Sequence, residues 1–383
     1  MLNFDHAAST PVHPDVIRTV SEVTEAHSGN PSSIHRGGQA ASRLLERSRE
    51  VCAAALGVQS AEIVFTSGAT ESNNLAVKGM LLGRVDGRRH IVTTQIEHAS
   101  VYESCRQLES FGFEVTYVAP EADGTVRPER ILGAVRKDTA LVSVIHVNNE
   151  TGAVQPVEEI GRQLKRRDAR VRFHVDGVQG FGRLALDLNA AGIDLYSLSA
   201  HKIGGPRGVG LLVVRSGVHL LPLISGGAQE SGLRAGTENV PSIVGAAKAF
   251  RLAAEGQSGR AERMDLLREY IVREVRKHKA LTLTEPAHPA PHIVHFTFPG
   301  LKSQVILHTL EELGVLVSAQ SACSSKTEKP SRVLEAMGRD RAHATSGIRF
   351  SLGDGHTQEE IRLLSEALEQ AVSRLAPFEG RKR

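Results

Sequence analysis

The chain has 383 residues, 40% of them hydrophobic, enough for about two domains of ordinary size and a large core. Its 46 Lys and Arg against 43 Asp and Glu leave a net charge of +3 with both signs scattered, so no basic stripe marks a nucleic-acid or membrane surface. Three cysteines (Cys52, Cys105, Cys323) lie far apart without a CxxC pair, which argues against a disulfide framework or structural zinc and fits a reducing cytoplasm. The start MLNFDHAASTPV lacks the basic and apolar regions of a signal peptide, and no run approaches the roughly eighteen apolar residues of a membrane span.

From about residue 14 to 255, short β-rich runs alternate with amphipathic helices. The runs are AEIVFTS, HIVTTQIEH, FEVTYVA, ALVSVIHVNN, VRFHVDG, DLYSLSAHK and GVGLLVVR. Between most of them lie helical patterns with apolar residues at i, i+3 and i+4, such as ESNNLAVKGMLLG, VYESCRQLESFG and PVEEIGRQLKRRD. The repeating unit is therefore β-α-β and the sheet mainly parallel. LYSLSAHKIGGPRGVGLLVV departs from this, since two β runs meet there across a Gly/Pro turn and predict a hairpin. Beyond AAEGQSGRAER come strands at LTLTEP, PHIVHFTF, VLVSAQ and IRFSLG, with helices at SQVILHTLEELG, SRVLEAMG and TQEEIRLLSEALEQAVSRL. The expected class is α/β, with a large domain over 14–255 and a smaller α/β domain from 1–13 and 256–383 that carries the Cys323 loop.

In open parallel sheets, ligands bind beyond the carboxyl ends of the strands. Those ends are polar here. VFTSGATESNN offers Ala69 and Thr70 at a helix start, where free N–H groups and the helix dipole suit a phosphate, although an ordinary capped helix reads the same way. FHVDGVQ ends a strand on Asp176 with Gln179 close behind. YSLSAHKIGG groups Ser199, His201 and Lys202. A lone lysine is ordinarily a solvated charge, but Lys202 closes an apolar strand. Cys323 lies among serines, with Ser331 as the expected N-cap of the next helix, so it is read as a loop thiol that is either inert or reactive. A lysine, a carboxylate and a phosphate pocket together meet the needs of pyridoxal phosphate: a Schiff-base amine, a partner for the pyridine nitrogen and an anion site.

Ten segments, among them DHAASTPVHP, FTSGATESNN, IEHASV, HVNNETGAVQP, HVDGVQ, SLSAHKIGGPRGVG, GLRAGTENV, SACSSKTEKPS and GIRFSLG, resemble in order the motifs of the cysteine desulfurases, fold-type I, class V pyridoxal-phosphate enzymes. The resemblance implies a homodimer that converts L-cysteine to L-alanine and leaves a persulfide on the enzyme. It implies Lys202 as the Schiff-base lysine, Cys323 as the sulfur-accepting thiol, and His98 as a residue that stacks on the ring and moves protons. Asp176 is implied to face the ring nitrogen. Asn149 and Gln179 would bond the ring oxygen and the substrate side. Ala69, Thr70, Ser199 and His201 would hold the phosphate, Thr237 would reach the neighbouring subunit's phosphate, and Arg349 would bind the substrate carboxylate. The sulfur acceptor would be an iron-sulfur scaffold protein or a tRNA-thiolation enzyme. The length of SAQSACSSKTEKPS resembles the family branch with the longer, mobile loop.

The sequence departs from the family at His6 and Ser9, where asparagine and threonine are usual, and at Gln320, where glycine is common. Two other readings of the same fold are a pyridoxal-phosphate aminotransferase or lyase acting on another amino acid, and a non-catalytic protein that binds a sulfur acceptor. His288, His292 and His295 lack accompanying carboxylate or cysteine ligands at a recognisable spacing, so no metal site is expected. GGPRGVG has no helix after it and reads as a turn rather than a dinucleotide loop. Cys52 and Cys105 fall in helical runs as packing residues.

Overall fold

A computed structural model of the protein describes residues 1–319 and 329–376. Its strands are β1 (Leu2–Asn3), β2 (Ile63–Thr66), β3 (His90–Thr94), β4 (Glu114–Val118), β5 (Thr139–Ile145), β6 (Arg172–Asp176), β7 (Leu195–Ser199), β8 (Gly210–Val214), β9 (Thr282–Thr284), β10 (Ile293–Thr297), β11 (Val315–Leu316) and β12 (Gly347–Ser351). The large sheet has the spatial order β2-β8-β7-β6-β5-β3-β4. β3 to β7 pair in parallel, while β8 runs antiparallel to both β7 and β2, as the Gly/Pro hairpin requires. All seven expected strands of this sheet are present.

The apolar runs follow from burial on both faces. Along β5, every residue is buried, with Leu141 packing into one core and Val142 and Val144 into the other. Helices cover both faces, so the polar groups of the sheet are left to its carboxyl edge. There β3, β5, β6, β7 and β2 all end on one side, because two antiparallel steps return β2 to the direction of β7. Two close approaches fix that edge. A Cβ at Gly177 would lie 2.0 Å from the Tyr196 ring, and one at Gly210 would lie 2.4 Å from the Gly68 backbone. Both positions therefore need glycine.

A second sheet, β12-β10-β9, is antiparallel, and helices Ser303–Glu312 and Gln358–Leu375 share its core with Phe296, Ile348 and Phe350. Two features differ from the expected pattern. β11 does not join this sheet but pairs in parallel with β1, a two-residue strand too short to show a period. The helix from Ala69 continues to Leu82 through a π turn at Leu75–Gly79, which hydrophobic spacing over one turn cannot distinguish from regular helix. The N-terminal segment then crosses to the large sheet's edge: Ser351 N–H donates to Phe4 O, and Thr10 N–H donates to His201 O at 3.0 Å. Among the described residues, no helix is long and apolar enough to cross a membrane.

Candidate active site

The carboxyl edge encloses a cavity of about 460 Å³. Ala69, Thr70, His98, Asn149, Asp176, Gln179, Ser199, His201, Lys202 and Arg349 all line it, although they come from positions spread over 280 residues of sequence. Thr237 does not. It is exposed and lines a neighbouring cavity of about 210 Å³ with Ser67, Glu230 and Arg234. Cys323 and Gln320 lie outside the described residues. The flanks of that segment are nonetheless tied to the cavity. Ser318 and Arg349 exchange backbone hydrogen bonds at 2.8 and 3.2 Å, and Ser331, the N-cap of helix Arg332–Ala336, donates its hydroxyl to buried Glu150, the residue after Asn149.

Lys202 sits in a single 3-10 turn directly after β7, and its Nζ donates to Ala7 O at 2.7 Å and Ala8 O at 2.9 Å. The amine is thus drawn to the N-terminal segment, with its main chain fixed by Thr10 Oγ1 donating to Lys202 O. Ser9 also lines the cavity and accepts from Arg207 Nη2 at 3.2 Å. His6 is packed edge-on against His356 and does not reach the cavity.

Asp176 closes β6 and is 3% exposed. Its Oδ1 accepts from Val178 N–H at 3.1 Å and its Oδ2 from Asn73 Nδ2 at 2.8 Å, which leaves a directed, buried carboxylate on the cavity wall. Gln179 bridges the two sheets, with Nε2 donating to Ala7 O and Oε1 meeting His292 Nε2 at 3.2 Å. His98 is the N-cap of helix Ala99–Ser110. Its pKa is held below the usual value chiefly by burial, with the Lys202 and Arg332 charges adding to this and Asp176 opposing it. His201 is lowered to about 4, mainly by burial and then by the Lys202 and Arg207 charges, so it is neutral at pH 7.

Arg349 is 1% exposed. Its Nη1 donates to Asn149 O at 2.6 Å, its Nη2 pairs with Asp5 Oδ1 at 2.9 Å, and its buried Nε–H has no partner among the described residues. An unspent donor on a fixed guanidinium at a cavity wall suits a carboxylate ligand.

The loop over 67–70 at the cavity is braced by Glu71 and, from behind β2, by a buried ion pair. Glu71 accepts from Ser67 N–H at 2.8 Å and from Arg234 Nε at 3.0 Å. Arg49 and Glu230 form a buried bidentate pair at 2.9 Å, and Phe65 N–H also donates to Glu230. Glu230 holds positive φ (48°), as does Ser231 (56°), where L-residues are strained. This pair anchors the loop that presents Thr237. Asp5, Asn73, Glu71 and Glu230 were not identified from sequence. Only Glu71 offered a local signal, as an acidic first-turn residue, whereas the partners of the other three come from remote elements.

The architecture and this cavity define a class-V aminotransferase: the pattern of that family matches residues 2–364, and the chain belongs to it. Within the family it groups with cysteine desulfurases. The cysteine desulfurase IscS of Dictyoglomus turgidum is 41% identical over 373 residues, covering 97% of this chain and 94% of the relative. That of Pectobacterium carotovorum is 40% identical over 377 residues, covering 97% and 92%. A solved NifS-like protein superposes with a TM-score of 0.92 at 38% identity, covering 98% of this chain and all of the other. The family uses pyridoxal phosphate. The cavity fits that group by its donor set: an amine at the end of β7, a buried carboxylate at the end of β6, and hydroxyl, imidazole and helix-start N–H groups at 69–70, 199 and 201.

Proposed function

We propose that this protein is a cysteine desulfurase that converts L-cysteine to L-alanine and retains the sulfur as a persulfide on Cys323. The observation that carries the reading is the convergence of Lys202, Asp176 and Arg349 on one cavity. Pyridoxal phosphate, when bound, supplies an electron-withdrawing ring that accepts the charge left by removal of a substrate α-proton. Lys202 would hold its aldehyde, Asp176 would keep a proton on its pyridine nitrogen, and Asn149 and Gln179 would bond its ring oxygen and the substrate side. Ala69, Thr70, Ser199 and His201 would take its phosphate.

The chain's own residues account for the remaining steps. Arg349 binds the substrate carboxylate through its unspent donors and thereby orients the α-carbon. Lys202, as a free amine, takes the α-proton. The Cys323 thiolate then attacks the substrate sulfur, forming an S–S bond as the C–S bond breaks; the electron pair of that bond goes to the β-carbon, which takes up the proton given up by the Cys323 thiol to become the alanine methyl, and Lys202 returns a proton to the α-carbon. The ties of Ser318 to Arg349 and of Ser331 to Glu150 support delivery of Cys323 to this cavity.

Thr237 stands exposed beside the phosphate loop, and Leu221, Leu223 and Ile224 are exposed apolar residues, which supports a homodimer in which Thr237 serves the second subunit's phosphate. A two-domain division with 1–13 joined to 256–383 is supported by the β1–β11 pair and the separate core around Phe296. The acceptor would be an iron-sulfur scaffold protein or a tRNA-thiolation enzyme, and the location cytoplasmic, where Cys52 and Cys105 remain buried thiols.

The test combines borohydride with one variant. The wild type should be yellow, bleach on reduction with the label on Lys202, and release sulfide from cysteine in the presence of dithiothreitol. Cys323→Ala should keep the colour and lose sulfide release. Label on another amine, or persistent sulfur transfer in Cys323→Ala, would overturn the assignment. Colour without any cysteine turnover would favour an aminotransferase or lyase for another amino acid.

A further inference from the structure

His98 is connected to Asp176 by a chain of three hydrogen bonds whose directions are fixed by chemistry. Asp176 is a carboxylate, so it can only accept, and the Asn73 group facing its Oδ2 must be the amide nitrogen. The second hydrogen of that nitrogen goes to Ser100 Oγ at 2.8 Å, while buried Asn73 Oδ1 has no donor among the described residues. Ser100 Oγ therefore accepts from Asn73, and its own hydrogen is left for its other neighbour, His98 Nδ1, at 2.8 Å. Ser100 N–H also donates to that nitrogen at 3.2 Å. Two donors aimed at Nδ1 require its lone pair. Asn73 is fully buried and Ser100 nearly so, which leaves little water to substitute.

We propose that Asn73 and Ser100 are positioning residues that hold His98 as the neutral tautomer protonated at Nε2, so that it serves the reaction as an N–H donor rather than as a base at that nitrogen. Placing a proton on Nδ1 would leave the Ser100 hydroxyl hydrogen without an acceptor and set two N–H groups against each other. The charged groups around the ring act on its protonation and not on the choice of tautomer: Asp176 favours the imidazolium, while Lys202 and Arg332 oppose it. The relay adds a directional constraint that these charges lack. The inference rests on reading this cavity as the pyridoxal-phosphate site.

The test uses the full-length chain labelled with ¹⁵N at both histidine ring nitrogens, with His98 identified by its loss in His98→Gln. In the cofactor-free wild type between pH 6 and 8, Nδ1 should give the signal of a bare nitrogen and Nε2 that of an N–H. Ser100→Ala should yield a mixture of tautomers and raise the protonation midpoint of His98, and Ser100→Thr should restore the wild-type pattern. With pyridoxal phosphate bound, Ser100→Ala should lower kcat roughly 3- to 10-fold with KM for cysteine little changed, the loss of one hydrogen bond. A protonated Nδ1 in the wild type, or an unchanged tautomer in Ser100→Ala, would overturn the assignment. The wild-type tautomer decides the matter even if a variant fails to fold. Failure of the chain to colour with pyridoxal phosphate would instead refute the reading of the cavity, and the cofactor-free spectra would still judge the relay.

Discussion

Replacing Arg349 with lysine keeps the charge and removes the fork, so it separates the two tasks assigned to this side chain. Arg349 donates to Asn149 O at 2.6 Å and to Asp5 Oδ1 at 2.9 Å. Hydrogen bonds to charged groups contribute about 1.5 to 3 kcal/mol each. A lysine has a single nitrogen on an unbranched stem and can keep one of the two partners. Because Arg349 is 2% and Asp5 27% exposed at the side chain, water reaches one side of the pair, and the loss should fall near the lower end, about 1.5 to 2 kcal/mol of stability. Substrate should lose about one charge-assisted bond to its carboxylate, a rise in KM for cysteine of roughly 10- to 100-fold with a smaller change in kcat. Steady-state kinetics and urea unfolding of the same variant measure both. Asp5→Asn is the control, since it removes the counter-charge and lowers stability while leaving the fork in place. If Arg349→Lys loses stability but keeps KM within twofold of the wild type, Arg349 only joins the two sheets and the substrate role is refuted.

Three other outcomes follow from the same geometry. Glu230→Gln leaves buried Arg49 with only the exposed Glu46, at 3.5 Å, as counter-charge and should cost about 3 kcal/mol in urea unfolding, and a loss under about 1 kcal/mol would show that the pair does not anchor the Thr237 loop. Burial lowers His146 to about 4 and His295 to about 3, so the unfolded chain binds more protons below the ordinary histidine value of 6.5. In a Glu97→Gln background, which removes the opposing carboxyl, calorimetric Tm should therefore fall as pH drops from 6.5 toward 4, and a flat profile there would mean that these rings find proton acceptors. Glu97 shows the opposite sign. Burial raises it to about 8, so the folded state binds the extra proton and stability is lost as pH rises from 4.5 to 8. Glu97→Gln keeps an oxygen for Thr94 Oγ1 and Ile145 N–H and should flatten that loss, with Tm at pH 8 no lower than wild type; a drop of several degrees at pH 8 would show that Glu97 is ionised in the fold.

Six of the seven strands of the large sheet were legible because they are buried almost throughout and read as short runs rich in apolar and β-branched residues, the half-exposed edge strand β4 was legible from Val115, Thr116, Tyr117 and Val118, and the β7–β8 hairpin was legible because its turn is made of Gly and Pro. Ser331 was expected as an N-cap and is one, with its side chain accepting from Leu334 N–H at 3.2 Å. β1 was missed, since two residues carry no period and its partner β11 lies more than 300 residues away. The π turn at Leu75–Gly79 was missed because one extra residue in a helix leaves the surrounding apolar spacing nearly intact.

Local sequence therefore determined the elements and the chemical groups at their ends: an amine after β7, a carboxylate after β6, hydroxyls and N–H groups at a helix start. These depend on propensity, burial pattern and turn chemistry, which act over a few residues. Only the tertiary structure decided how those groups are paired. It set Asp5 on Arg349, Asn73 between Asp176 and Ser100, Glu230 on the Phe65 N–H at the end of β2, and the N-terminal carbonyls on Lys202. Hydrogen bonds and ion pairs act over about 3 Å and depend on angle, so they are specified by the register and packing of elements hundreds of residues apart, and no window along the chain contains that information.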